Sequence, residues 1–205
     1  MLPMLQAATG AALCGAALHA LRRRFIAGVK VSSKSAVAQE LTVGESIAHE
    51  VLRAIKPVSQ HTLRTPIVSA AHLSKASGGE VYIKLESEQV TGSFKARGAV
   101  NKVHCLVSDS SSGKLPHIVT ASTGNHALAV TRAVRLLAPS STFEIYVPAN
   151  ASPAKLQALA AAGAKVTKSA SSDCERAETE ARQAAEAVGG VFISPYNDLQ
   201  VAAGQ

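Results

Sequence analysis

Apolar and polar positions follow two alternating periods in the second half of the chain, which predicts strands and helices in turn. Short apolar runs at residues 117–121, 143–147, 164–167 and 191–193 predict strands. Apolar residues at helical spacing predict helices over 125–138, 152–162 and 173–188. Strands alternating with helices of this length predict an α/β fold, with a parallel twisted sheet and helices on both faces. Ligands bind such sheets at the carboxyl ends of the strands.

The preceding stretch is predicted to supply further elements of the same fold. Thr42 and Glu45 have the spacing of a capping box, and apolar residues then recur on one helical face. Pro57 is expected to end this helix, because proline has no amide hydrogen to donate. A short helix over 70–76 and a strand over 81–85 follow.

Residues 1–39 differ in composition from the rest of the chain. They carry five basic side chains and no acidic one, and residues 5–21 are rich in alanine, glycine and leucine. This composition is typical of an organellar transit peptide, which would place the protein in a mitochondrial or other organelle matrix. A membrane anchor formed by residues 5–21 and an unstructured tail on a cytoplasmic protein are the alternatives.

Charge and cysteine content argue against several classes of function. The 205-residue chain has a formal net charge of +7, but the excess is concentrated in residues 1–39, so no nucleic-acid partner is predicted. The three cysteines are far apart and suggest neither a disulfide framework nor a metal-binding knuckle. No metal site is predicted in this chain. Hydrophobic residues make up 47% of the sequence, which is enough to form a buried core.

The first candidate for chemistry is the stretch 91–99, which reads TGSFKARGA and follows a predicted strand. Gly92 and Ser93 suit the start of a helix, so Lys95 is predicted in the first helical turn. The positive end of the helix dipole disfavours an ammonium group there and favours a neutral amine. Schiff-base formation requires a neutral amine, whereas a solvated lysine is the alternative interpretation.

The second candidate is the strand-to-helix turn at residues 120–126, which reads TASTGNH. A turn of small residues before a helix exposes backbone amides that can bind a carboxylate or a phosphate. Ser122 and Thr123 add hydroxyl groups, and Asn125 adds an amide able to donate to a phenolate-type oxygen. An ordinary helix N-cap is the alternative.

Together, the motifs KLE at 84–86, TGSFKARGA at 91–99 and STGNH at 122–126 resemble those of the pyridoxal-phosphate-dependent enzymes of fold type II. The similarity is to the serine/threonine dehydratase (threonine ammonia-lyase) and serine racemase group. It extends from Thr65 to Gln205. The resemblance implies a tryptophan synthase β-like fold and pyridoxal 5'-phosphate as the cofactor.

The resemblance also implies roles for individual residues. Lys95 is the catalytic residue that forms the Schiff base with the cofactor, Phe94 packs beside the cofactor ring, and Asn125 binds the ring hydroxyl. The substrate carboxylate is held by Ser122, Thr123, Gly124 and Asn125. In racemases of this group a serine at the position of Thr123 acts as an acid, so a threonine there favours dehydration. His126 is interpreted as a packed helix residue rather than a catalyst.

The implied activity is that of a pyridoxal-phosphate-dependent ammonia-lyase, which dehydrates L-threonine or L-serine to a 2-oxo acid and ammonia. Serine racemase and cysteine-synthase-like β-replacement are the alternatives among enzymes, and a non-catalytic interaction protein is the alternative of another class. The substrate is expected to be a small amino acid. The resemblance further implies a homodimer and a divalent cation in the full-length enzyme.

Three features of the resembled family have no counterpart before Gln205. These are a glycine-rich phosphate loop, the residue that bonds the ring nitrogen, and the acidic residues of a divalent-metal site. We therefore expect a truncated chain, the N-terminal half of an enzyme, with weak or no activity by itself. The expected domains are an extension over 1–41, part of the large cofactor domain over 42–114, a small open α/β domain over 115–194, and a return to the large domain over 195–205.

Overall fold

A computed structural model of the chain describes residues 34–111 and 115–205, with side chains from residue 47 onward. The chain divides into two compact units, Met1–Ser46 and Ile47–Gln205. The described part of the first unit is helical backbone.

The interpretations of the N-terminal extension fall on residues that the structure does not describe. The candidate anchor at 5–21 lies outside the described residues, and so do Arg22, Arg23, Arg24 and Lys30, four of the five basic residues of the transit-peptide interpretation. None of the helices that the structure describes combines transmembrane length with the hydropathy of a membrane span. The domain boundaries predicted after residues 41, 114 and 194 stay predictions.

The described residues form an alternating series of helices and strands. The helices are α1 (Lys34–His61), α2 (Ala71–Ser77), α3 (Lys95–Asp109), α4 (Asn125–Leu137), α5 (Pro153–Ala161), α6 (Cys174–Ala187) and α7 (Leu199–Gly204). The strands are β1 (Ile67–Ser69), β2 (Tyr82–Lys84), β3 (Ile118–Ala121), β4 (Phe143–Val147), β5 (Lys165–Lys168) and β6 (Val191–Phe192), and a 3₁₀ turn covers Glu86–Glu88. Every strand and helix predicted after residue 115 is present.

Helix α1 differs from the prediction at both ends. It begins at Lys34 rather than at Thr42, and it continues through Pro57 to His61. A proline inside a helix removes the hydrogen bond to the carbonyl group four residues earlier. Ala54 and Pro57, three residues apart on one helical face, are both buried. Only that one bond is lost, so the backbone stays helical for four residues beyond Pro57.

The second unit is built on a four-stranded sheet with the strand order β5-β4-β3-β6. All neighbouring strands in it are parallel. On the central strand β3, Ile118 is opposite Phe143 of β4 on one side and Val191 of β6 on the other. The predicted parallel α/β sheet is therefore confirmed.

Helices cover both faces of this sheet. Successive side chains of a strand point to opposite faces. Ile118 accordingly belongs to the core cluster that includes Val130 of α4, whereas Val119 packs with Ala181 and Ala185 of α6. Helix α4 therefore lies on one face of the sheet and helix α6 lies on the other.

Strands β1 and β2 form a separate, two-stranded antiparallel sheet in which Val68 is opposite Ile83. The residues of both strands are exposed. The sequence pattern predicts β2 but not β1, because three residues are too few to show a period.

Helices α3 and α7 are in backbone contact through two glycines. A Cβ atom on Gly98 would lie 2.5 Å from the carbonyl oxygen of Val201, and a Cβ atom on Gly204 would lie 2.8 Å from that of Arg97. Glycine is required at this separation because it has no Cβ atom. The contact holds the start of α3, which carries Lys95, close to the segment that precedes α7.

Candidate active site

The candidate site lies where the strand order reverses. From β3 the chain proceeds to β4 and then β5 on one side, whereas β6 is added on the opposite side of β3. Such a reversal opens a crevice at the carboxyl ends of the strands, which is the usual ligand site of an open α/β sheet. The β3–α4 turn (residues 122–126) follows one of these strand ends, and the β6 segment (residues 193–197) follows the other.

Lys95 is the first residue of α3, as the sequence predicts. Before it, Gly92 has a φ of +69°, a left-handed conformation that glycine adopts without strain. The buried Ser93 accepts a hydrogen bond at its Oγ from the backbone N–H of Lys95, at 3.3 Å. The two small residues therefore shape the turn that directs Lys95.

The amine of Lys95 lies against the β6 segment. Its Nζ donates a hydrogen bond to the carbonyl oxygen of Pro195 at 2.8 Å, and it lies 5.2 Å from the ring centroid of Phe94 and 5.4 Å from that of Tyr196. Burial lowers the pKa of Lys95 below its ordinary value, because desolvation disfavours the ammonium form. Lys95 is only partly buried. The amine is thus both accessible and biased toward the form that attacks a carbonyl group.

The β6 segment is itself fixed at both ends. The Oγ of Ser194 accepts a hydrogen bond from the backbone N–H of Asn197 at 3.0 Å. Asp198 caps α7 and forms an ion pair with Lys102 of α3 at 2.9 Å. These contacts hold the carbonyl group of Pro195 at a fixed position relative to α3.

The β3–α4 turn brings amide groups and hydroxyl groups to the carboxyl end of β3. The backbone N–H of Gly124 donates to Ser122 Oγ at 3.2 Å, and no side chain caps α4. The first N–H groups of a helix have no acceptor within it. Among the described residues, neither the exposed carboxamide of Asn125 nor the hydroxyl of Thr123 has a hydrogen-bond partner. Such donors suit a carboxylate ligand.

The stretch 91–99 and the β3–α4 turn reach the same edge of the sheet, and the described residues show no hydrogen bond or ion pair between them. Lys95 also acts on the turn electrostatically: after burial, its positive charge is among the causes that lower the pKa of His126, which stands at the end of the β3–α4 turn. The roles assigned from the resemblance to Phe94, Lys95, Ser122, Thr123, Gly124 and Asn125 stay predictions. The structure supplies their positions.

Pro195 and Tyr196 are contacts of the Lys95 amine that sequence reasoning missed. They lie about a hundred residues along the chain from Lys95. They belong to the sequence PYND at 195–198, to which the sequence analysis assigns no role. The available signal was its position directly after a predicted strand, since ligand sites lie at such strand ends.

A partly buried ion pair supports the turn that precedes Lys95. Arg97 donates to Glu86 through Nε at 2.9 Å and through Nη2 at 2.7 Å. Thr65 Oγ1 donates to the same carboxylate at 2.6 Å, and Arg97 Nη2 also donates to the carbonyl of Leu63 at 3.0 Å. Hydrogen bonding by Arg97 lowers the pKa of Glu86 to about 2. The KLE motif thus ties α3 to the strand before it.

A groove of about 540 Å³ lies away from the crevice. It is lined by the loop before α3 and by the later turns of α4, including Arg132 and Arg135. Both guanidinium groups already donate to backbone carbonyl groups. Because the groove contains neither Lys95 nor any residue of the β3–α4 turn, it is not the candidate site.

These features define an α/β protein with a desolvated lysine amine at a switch point, a site that suits a carbonyl-bearing cofactor and a carboxylate. Residues 58–205 match the family model described as pyridoxal-phosphate dependent enzyme. The chain therefore belongs to this family. The match confirms the predicted resemblance and pyridoxal phosphate as the cofactor.

Relatives of known function show the extent of the similarity. A beta-hydroxyaspartate dehydratase from Paracoccus denitrificans is 35% identical over 156 residues, which are 76% of this chain and 48% of that protein. Serine racemase from Homo sapiens is 37% identical over 141 residues, which are 69% of this chain and 41% of that protein. The solved structure of a processed threonine deaminase from Solanum lycopersicum has a TM-score of 0.67 at 30% identity and covers 78% of this chain and 43% of that one.

The chain spans less than half the length of these relatives. They are named for reactions of small amino acids, and both dehydratases and racemases occur among them. The likeness confirms the predicted fold class, an α/β fold of the type II pyridoxal-phosphate enzymes. It also places the chain in the group that contains serine racemases and threonine dehydratases.

The residues at the crevice fit pyridoxal phosphate. The Lys95 amine suits its carbonyl group, the unpaired carboxamide of Asn125 suits a ring hydroxyl, and the Phe94 ring, 42% exposed beside the amine, offers an apolar surface. In the part of the chain that the structure describes, no group of three or more histidine, cysteine, aspartate or glutamate side chains is arranged to hold a metal ion. The divalent cation and the homodimer stay predictions.

Proposed function

We propose that the chain belongs to a pyridoxal-phosphate-dependent ammonia-lyase that dehydrates L-threonine or L-serine to a 2-oxo acid and ammonia. The observation that carries this proposal is the Lys95 amine, desolvated at the switch point of the sheet and hydrogen-bonded to Pro195 at 2.8 Å. Similarity to a dehydratase and to a threonine deaminase supports the reaction class.

In this proposal Lys95 binds the cofactor and Asn125 orients it. Pyridoxal phosphate, when bound, supplies a conjugated ring that accepts the electrons released at the substrate α-carbon. The Nζ of Lys95 would hold the cofactor as a neutral amine and, when free of it, would take the substrate α-proton as a general base. The carboxamide of Asn125 orients the ring, and Phe94 excludes water from one side of the amine.

The β3–α4 turn orients the substrate. Its first-turn N–H groups and the hydroxyls of Ser122 and Thr123 donate to the substrate carboxylate, which places the α-proton toward Lys95. Removal of that proton is followed by loss of the β-hydroxyl as water. The dehydrated product then hydrolyses to the 2-oxo acid and ammonia.

The first prediction concerns covalent binding of the cofactor. Pyridoxal phosphate is added to the purified chain, its Schiff-base absorbance is recorded, and borohydride reduction followed by mass spectrometry locates the modified residue. We expect modification at Lys95 and its loss in Lys95→Ala, because no other amine is desolvated in this crevice among the described residues. The control Lys155→Ala removes an exposed lysine of α5 and should bind normally.

A chain that forms no Schiff base at Lys95 would contradict the proposal and favour the non-catalytic interaction protein. Turnover is read from ammonia and 2-oxo acid released from L-threonine and L-serine. We expect it to be low in the 205-residue chain, which spans less than half the length of the relatives.

The second prediction separates dehydration from racemisation, which the similarity to serine racemase also supports. Compared with a serine, Thr123 has the same hydroxyl group but carries an additional methyl group beside it. Its oxygen is therefore less free to deliver a proton to the substrate. We expect Thr123→Ser to increase the ratio of D-serine to pyruvate formed from L-serine, measured by chiral chromatography. An unchanged ratio, or D-serine as the main product of the natural chain, would favour the racemase alternative or a different acid.

A further inference from the structure

The imidazole of His126 joins the start of α4 to the end of β6. His126 is 3% exposed, and its Nε2 lies 3.1 Å from Thr120 Oγ1 and 3.4 Å from the carbonyl oxygen of Ile193. Thr120 Oγ1 itself donates to the same carbonyl oxygen at 2.7 Å. Strand β3, helix α4 and the β6 segment thus meet at one buried set of polar atoms.

The position of the imidazole proton follows from these contacts. The single hydroxyl proton of Thr120 is donated to Ile193, so the Thr120 oxygen faces His126 as an acceptor. The Ile193 oxygen is an acceptor as well. Nε2 must therefore carry the proton and donate it, because a bare Nε2 would leave a buried N–H unpaired at Nδ1. Nδ1 is buried without a partner among the described residues, which a neutral ring tolerates better than a charged one.

The contact leads directly to the reactive amine. Ile193 is held to β3 by the hydrogen bond from its N–H to the carbonyl of Val119, at 2.8 Å. Pro195, two residues later, is buried and accepts the hydrogen bond of Lys95. His126 itself directly follows Asn125 in the β3–α4 turn. A displacement of the imidazole would therefore move both the turn and the carbonyl group that holds the amine.

We infer that His126 is a positioning residue, whose neutral Nε2–H fastens the β3–α4 turn to the β6 segment and so sets the place of the Lys95 amine relative to the turn. The inference rests on the proposed function for the importance of Lys95. The contacts of His126 can be tested without the cofactor, so the inference and the proposed function can fail separately.

Four variants and one control test the inference. Thr120→Val removes the shared oxygen with almost no change of shape, and Thr120→Ser restores it. His126→Leu removes the donor, and His126→Gln keeps a donor near the position of Nε2. The matched control is Thr131→Val, since Thr131 is also buried but its hydroxyl bonds only within α4, to Ala127.

The first measurement is the tautomer of His126, from imidazole ¹⁵N shifts of the cofactor-free chain at neutral pH. We expect the neutral form with the proton on Nε2. A proton on Nδ1, or a charged ring, would overturn the inference because Nε2 would then not be the donor described.

The second measurement is amide hydrogen exchange of the β3–α4 turn and the β6 segment in the cofactor-free chain. Loss of a buried hydrogen bond should speed exchange in both segments by roughly tenfold in Thr120→Val and His126→Leu. Thr120→Ser and His126→Gln should recover most of the protection, and Thr131→Val should not affect either segment. Equal effects of Thr120→Val and Thr131→Val, or no effect of Thr120→Val, would refute the link.

The third measurement reads the amine itself, through the pH dependence of reductive methylation of Lys95 followed by mass spectrometry. Thr120→Val should shift this profile toward higher pH, because a displaced amine is better solvated, and Thr120→Ser should restore it. A profile that is unchanged in a folded Thr120→Val chain would show that the contact has a structural role only. Failure of the natural chain to bind pyridoxal phosphate would instead count against the proposed function.

Discussion

At the scale of single residues, the Lys95 amine is subject to two opposing influences. The carbonyl group of Pro195 and the ring faces of Phe94 and Tyr196 favour an ammonium ion. Burial favours the neutral amine, and it prevails, since the pKa lies below its ordinary value. The sequence predicts that the helix dipole lowers the pKa of Lys95. The helix does begin at Lys95, but the pKa is lowered by desolvation. The reactivity of the Lys95 amine therefore depends on its burial against the β6 segment.

A third prediction concerns Glu86, which receives two hydrogen bonds from Arg97. We expect Glu86→Gln to lower the free energy of unfolding at pH 7 by about 1.5–3 kcal/mol, the usual range for hydrogen bonds to charged groups. The folded pKa of about 2 lies below the ordinary 4.5, so the carboxylate stabilises the fold above pH 4.5 and this contribution disappears as the pH falls toward 2. Urea unfolding at pH 7 and pH 3 measures the difference.

The control for this prediction is Glu178→Gln on α6. Glu178 also accepts two hydrogen bonds from an arginine, Arg182, but the pair is four residues apart on an exposed helix surface. Such pairs contribute about 0.5 kcal/mol or less. Similar losses in the two variants, or a loss in Glu86→Gln that does not shrink at pH 3, would contradict the role assigned to Glu86.

At the scale of secondary-structure elements, the candidate site is produced by the contact of α3 with α7 and by the pairing of β3 with β6. The glycine contact brings the two helices together, and Asn101 strengthens it by donating to the carbonyl of Gln200 at 2.8 Å. The short strand β6 then aligns the β6 segment with the end of β3. Neither contact includes the Lys95 amine, yet both determine what it touches.

A fourth prediction tests the helix contact. Gly98→Ala places a Cβ atom 2.5 Å from the backbone oxygen of Val201, so α7 must shift. We expect a loss of about 1–3 kcal/mol of stability, typical of overpacking, together with slower or weaker Schiff-base formation at Lys95. Thermal unfolding and cofactor absorbance are the measurements. Gly79→Ala, where a Cβ atom would meet nothing within 4 Å, is the control and should change stability by less than about 0.5 kcal/mol.

At the scale of the whole molecule, large apolar side chains are exposed on α1 and on the two-stranded sheet. Leu52 and Ile55, which are neighbours on α1, are 66% and 59% exposed, and Ile67 of β1 is 64% exposed. Soluble proteins rarely leave contiguous apolar surface of this kind uncovered. By contrast, the core around β3 and β4 is closed, and Ile118, Val119, Ile145 and Val147 are fully buried.

A fifth prediction follows from this uneven exposure. We expect the purified chain to bind an apolar fluorescent dye in the folded state and to associate as its concentration rises. The double variant Leu52→Glu, Ile55→Lys should reduce both effects, measured by dye fluorescence and sedimentation. The control Val188→Lys changes an apolar residue that is equally exposed (62%) but stands alone at the end of α6, and it should behave like the natural chain. Equal effects of the two would contradict a specific apolar face.

The candidate site illustrates how far the sequence could lead. The position of Lys95 at the start of α3 and of the β3–α4 turn at the start of α4 could be predicted, because small residues and helical spacing are local signals. The partners of Lys95 could not, since Pro195 and Tyr196 reach it only through folding. The continuation of α1 through Pro57 was not predicted either, because the rule that proline ends a helix rests on a single lost hydrogen bond.

The sequence by itself determined the order of strands and helices after residue 115, because side-chain period depends only on neighbours along the chain. It also determined the residue types available for chemistry and the family to which they belong. Only the tertiary structure decided that the ends of β3 and β6 lie side by side, that α3 and α7 approach at glycines, and that the Lys95 amine is desolvated. Those properties arise from packing between segments about a hundred residues apart, which no local pattern encodes.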